Sequence, residues 1–180
     1  MATTEPTLLL ERRARRAYEW GRLRSALRIL PFVVLATAAA IASGRPLTLA
    51  LAVLGVLSPL SVGLSFAGRA PGRAVVPGLL AGGAALAMPL LVATLGHACF
   101  GPACMTYCLH ACIVGGAIAG AVIARTAVAQ GPDPAFLLPA LAIAALTGSL
   151  GCTISGAAGV IGMLAGVVAA GTPLLVVARR

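Results

Sequence analysis

From residue 29 to residue 178 the chain carries only five charged side chains: Arg45, Arg69, Arg73, Arg125 and Asp133. The residues between them are almost uniformly apolar. This pattern constrains the fold more than any other feature. A water-soluble domain of 180 residues cannot hide so much apolar surface, whereas a bilayer needs no hiding of it. Composition agrees: 60% of residues are hydrophobic, 9% are charged and the mean hydropathy is +1.04. Soluble domains are about 25% charged.

A membrane crossing takes about 20 mostly apolar residues. Six such stretches can be drawn, at 29–43, 47–67, 75–96, 105–124, 135–151 and 157–178. The breaks between them are rich in glycine and proline: Ser43-Gly44-Arg45-Pro46, Gly68 to Arg73, Phe100-Gly101-Pro102, Gln130 to Pro134, and Cys152 to Gly156. The expected fold is all-α: about six transmembrane helices in three hairpins, preceded by a basic amphipathic helix. The chain then divides into a cytoplasmic basic amphipathic segment, 1–28, and a six-helix transmembrane domain, 29–180. A weak internal repeat supports the hairpins. Ile29-Leu30-Pro31, Val75-Val76-Pro77 and Leu137-Leu138-Pro139 each open an odd-numbered span, and proline suits the first turn of a helix.

All thirteen basic residues are arginine. Seven precede the first span, and Arg69, Arg73, Arg125, Arg179 and Arg180 fall on the same side of a six-span topology. Only Arg45 falls on the other. The net charge of +9 therefore reads as retention of basic loops in the cytoplasm, with both termini on the cytoplasmic side of an inner membrane, and not as a nucleic-acid surface. The charged lead before the first apolar run is too long for the n-region of a signal peptide.

Residues 7–28, TLLLERRARRAYEWGRLRSALR, interleave Arg12, Arg13, Arg15 and Arg16 with Tyr18, Trp20, Leu23 and Leu27. Two roles fit. One is a helix lying in the headgroup layer. The other is a docking helix for an acidic cytoplasmic partner.

The stretch HACFGPACMTYCLHAC, 97–112, holds both histidines and four of the five cysteines. On a helix Cys104, Cys108 and Cys112 form one stripe. Three readings follow. In an oxidising outer compartment the thiols can form a disulfide, with Cys99–Cys104 or a stripe thiol with Cys152 as the pairs to test. An odd count leaves at least one thiol free or paired between chains. Alternatively His97, Cys99, Cys104, Cys108, Cys112 and Cys152 supply ligands for a soft metal, Zn, Cu or Hg, although no cofactor is required. That reading makes the chain a carrier of soft metals or thiol ligands. The third is packing alone, in a structural subunit. The stripe continues through Gly116 and Gly120, and Gly148, Gly156, Gly162 and Gly166 repeat the small-residue spacing by which membrane helices approach closely. Such faces are compatible with oligomerisation.

An enzyme is not expected. The chain has no phosphate loop, no paired carboxylates, no nucleophile elbow and no C-x-x-C.

Taken together, several features resemble the small six-span negative regulators (anti-sigma factors) of extracytoplasmic-function sigma factors. They are the short cytoplasmic head, the cysteine-bearing region before span four, and the inner loop with Arg125 and Gly131-Pro132-Asp133-Pro134. Two more are the Ala/Gly-rich fifth span ending ALTGSLGC at Cys152 and the close on Arg179-Arg180. The chain departs from that pattern after Cys152, where Thr153-Ile154-Ser155-Gly156 stand in place of histidine and acidic residues. The resemblance implies that the head holds a sigma factor at the membrane and releases it when an outer redox or metal stimulus acts on the cysteines.

Overall fold

A computed structural model describes residues 5–95, 102–131, 133–153 and 156–177. It contains seven helices among the described residues and no strand. In chain order they are α1 (Glu5–Leu27), α2 (Leu30–Ala42), α3 (Leu47–Ala67), α4 (Arg69–Leu95), α5 (Pro102–Gln130), α6 (Pro134–Cys152) and α7 (Gly156–Val177). Helices α3 to α7 are long and apolar enough to cross a membrane. The chain is thus a multi-pass helical membrane protein, with five such helices and a shorter apolar one among the described residues. At 13 residues, α2 is only about 20 Å long, less than the ~30 Å hydrocarbon layer.

Local chemistry sets the helix ends. The expected loop from Gly68 to Arg73 is mostly helix. Gly68 (φ +67°) and Arg69 (φ +54°) make the reversal, and Pro71 falls in the first turn of α4, where its missing N–H costs nothing. Likewise α5 runs past the expected end at 124, carries Arg125 on its exposed surface, and stops at Gly131 (φ +89°). Asp133 caps α6, its carboxylate accepting from the Ala135 N–H at 2.9 Å, with Pro134 as the first helical residue.

The bundle is organised by close approaches between helices two apart in sequence. A side chain at Gly78 would meet the Ala140 carbonyl at 2.8 Å, and one at Gly82 the Ala144 carbonyl at 2.9 Å. The successive contacts advance in the same direction, so α4 and α6 run parallel. Gly116 against Met163, Gly120 against Val167, and Gly166 against Ile113 make the same parallel pairing of α5 with α7, close enough that no Cβ fits at any of the three glycines. Neighbouring α6 and α7 touch only lightly, so the tightest packing does not follow three consecutive hairpins. The Val75-Val76-Pro77 and Leu137-Leu138-Pro139 repeats stand 62 residues apart, and Gly78 and Gly82 meet the carbonyls 62 residues on. The two repeats therefore lie side by side in register.

The largest buried cluster is mostly small-residue, with Ala74, Ala81, Ala85, Ala119, Ala127, Ala140 and Ala144 beside Cys112, Cys152, Phe136 and Met163, while a second, of Val33, Leu57, Val75 and Ile143, is built from larger side chains. Large apolar side chains such as Phe32, Leu80, Leu138 and Ile161 lie on the outside. Small residues at the closest contacts and large apolar ones on the outer surface suit a protein solvated by lipid, where close backbone packing joins helices.

Candidate functional site

The sequence SGRP builds the first part of the site. Ser43 ends α2, and Gly44 takes the left-handed conformation (φ +85°). The Gly44 N–H donates to the Ile41 carbonyl at 2.9 Å, and the Arg45 N–H reaches back to Ala40 at 3.2 Å. This Schellman cap closes the helix. Pro46 then starts the run into α3. The turn projects Arg45 across the bundle, where one guanidinium nitrogen (Nη2) donates to the Gly151 carbonyl at 2.9 Å, in the last turn of α6. A cation there complements the negative end of the helix dipole.

Three thiols lie beside this arginine. Cys108 and Cys112 come from the first half of α5, and Cys152 is the last residue of α6. All three are buried, and none of them forms a disulfide. Cys112 and Cys152 share one buried cluster, and Arg45, bound to the Gly151 carbonyl, sits close enough for its charge to act on all three sulfurs. Burial lowers the Arg45 pKa below the ordinary arginine value, while attraction to the sulfurs opposes that shift. Its Nε is buried with no hydrogen-bond partner. Among the described arginine side chains the others are exposed, and Arg45 alone is half-buried.

Of the remaining cysteine-region residues, His97 and Cys99 lie outside the described residues, as does the side chain of Cys104. His110 is exposed. Among the described residues no group of three His, Cys, Asp or Glu is arranged to hold a metal ion.

Arg45 was legible only as the exception in the arginine count, the one basic residue on the far side of the topology. The glycines divide. Gly116, Gly120 and Gly166 meet neighbouring backbone, while Gly148 and Gly162 meet the side chains of Met163 and Leu109. Gly156 needs correction. It meets nothing within 4 Å and has φ +66°, so it is the turn residue that opens α7 and not a packing position.

At the opposite end of the bundle, α1 rests on α3. Leu23 is half-buried and Ala26 buried, whereas Leu27 is exposed. Arg13, Arg16, Tyr18 and Trp20 are exposed, and the side chains of Arg12 and Arg15 lie outside the description. An open groove of about 730 Å³ runs between α1 and Phe66 of α3, walled by Arg16, Glu19, Trp20 and Leu23.

The fold and the site together define a polytopic helical membrane protein with a half-buried arginine beside buried thiols at one end and a basic helix at the other. Comparison with protein-family models, curated proteins and solved structures finds no match.

Proposed function

We propose that the protein is a six-span inner-membrane sensor-regulator, with the Arg45–Cys112–Cys152 cluster as its input and α1 as its output. The observation that carries the reading is the pair of buried cysteines, Cys112 and Cys152, which two different helices bring into one core cluster, with the Arg45 guanidinium held on the neighbouring Gly151 carbonyl. Such a pair is equipped for a dithiol–disulfide change. A peroxide-class oxidant is small enough to enter a buried site. One thiolate attacks the peroxide, forming a sulfenic acid and releasing water once protonated. The second thiol then displaces a second water to close the Cys112–Cys152 disulfide. In sum, two thiols and one peroxide give one disulfide and two waters. The Arg45 charge attracts the thiolate formed on the way.

The disulfide would tie α5 to α6 next to the carbonyl that holds Arg45. The α2–α3 turn would then be displaced, and α1 rests on α3. In this mechanism the bundle has two arrangements, biased by the redox state of one pair.

Support for the orientation comes from charge: exposed Arg69, Arg73 and Arg125 lie toward the end that carries α1, opposite the thiols. The C-terminus is then cytoplasmic, and α2 makes the sixth crossing with local thinning of the bilayer. Reporter fusions after Arg180 and within the Arg45 turn are expected to show opposite sides of the membrane.

The basic head is proposed to hold a cytoplasmic sigma factor, as in an anti-sigma factor. The test is co-purification from cells. A sigma factor is expected with the intact chain, lost on deletion of residues 1–28 and released by peroxide. Retention of no specific protein by the intact chain contradicts the output half.

A further inference from the structure

A cavity of about 340 Å³ opens on the flank of the bundle, between α2 and α4, with α6 behind it. Its size falls in the range of about 300–1,000 Å³ typical of small-molecule sites. Phe32 and Ala36 of α2 and Leu79, Leu80 and Gly83 of α4 wall it. Phe32 and Leu80 are 65% and 63% exposed, so the mouth meets the surrounding lipid and not an aqueous end. A side chain at Gly83 would meet nothing within 4 Å, which leaves that wall open.

One lining residue is polar. Thr147 of α6 is 1% exposed, and its Oγ1 is buried without a hydrogen-bond partner. Helical threonines ordinarily donate back to their own helix. Thr37 does so to Val33 at 2.9 Å, and Thr126 does so to Val122 at 2.9 Å. Thr147 forgoes that bond, although an unmade hydrogen bond in hydrocarbon is costly. Its hydroxyl can both donate and accept.

We propose that this cavity binds one bilayer-dissolved molecule with an aliphatic body and a single oxygen-bearing end, whose oxygen hydrogen-bonds to Thr147. The apolar walls take the body, and entry is sideways from lipid. The site lies along α6 from the thiol cluster and does not depend on the redox reading.

The test uses the full-length protein in phosphatidylcholine vesicles with two photoreactive probes: a diazirine-bearing long-chain alcohol and the diazirine-bearing alkane of equal length. The alcohol is expected to label α2 and α4 saturably, about fivefold more tightly than the alkane, as one hydrogen bond allows. Thr147→Val is expected to reduce the alcohol to the alkane's level, and Thr147→Ser to restore it. Gly83→Leu fills the cavity and is expected to abolish saturable labelling by both. Equal labelling by the two probes in the wild type, or Thr147→Val labelling like the wild type, overturns the proposal. Because the two threonine variants change little volume, the result stands even if Gly83→Leu does not fold.

Discussion

Helices α4 to α7 and helices α1 to α3 are built on different terms. In the first group, glycine and alanine let backbones touch; 39% of the α4 span, 50% of α5 and of α6 and 22% of α7 is buried, so the group is set apart by its backbone contacts more than by burial alone. In the second, only 17% of the α3 span is buried, and a side chain at Gly55 or Gly63 of α3 would meet no other helix within 4 Å. One group is a close-packed frame, whereas the other is a flank laid against it. Arg45 reaches from the flank to the frame at the place where the thiols meet. A device that must change shape at little cost is better placed on the flank, because a close-packed frame has few intermediate arrangements.

The largest expected effect breaks the frame. Gly116→Leu forces a side chain into the Met163 carbonyl, and α5 must part from α7. We expect a loss of about 3 kcal/mol, at the upper end of overpacking costs, seen as a lower midpoint in detergent-titrated unfolding. The same change at Gly55 is expected to stay within about 0.5 kcal/mol. Equal losses at both sites would erase the distinction between frame and flank.

Next is the link. Arg45→Met removes the charged hydrogen bond to Gly151 and is expected to cost about 2 kcal/mol. The change is expected as faster hydrogen exchange in α2 and α3 with α5 and α7 unaltered. Exchange that rises equally in all helices would place Arg45 in the frame. The smallest effect concerns Gly156, whose φ of +66° strains any side chain. Gly156→Ala is expected to cost about 1 kcal/mol by the same unfolding midpoint.

Membrane character was plain from the apolar runs, and the breaks at Ser43–Pro46 and Gln130–Pro134 were legible from their turn residues. The 62-residue repeat was visible as a proline motif, but not the fact that its two copies pack against each other. Spacing along one chain says nothing about which helices pair. The small-residue ladder announced close packing, yet Gly156 belongs to a turn. A glycine at i+4 or i+8 serves either purpose until the helix start is known. The thiol pairing was one open alternative among several, since Cys112 and Cys152 lie 40 residues apart. The contact of Arg45 with the end of α6 was not legible, because loop arginines usually mark topology and seldom fold back onto a helix end.

The central claim is that Cys112 and Cys152 form a reactive pair beside Arg45. It is tested most directly by treating the protein in native membranes with increasing peroxide, then alkylating free thiols under denaturing conditions and mapping linked peptides by mass spectrometry. The account predicts that the Cys112–Cys152 link appears before any other between described cysteines. It should be reversed by dithiothreitol, absent in Cys152→Ser, and slower to form in Arg45→Met. Full alkylation of both cysteines after peroxide, or a link from Cys152 to a different cysteine, would contradict it.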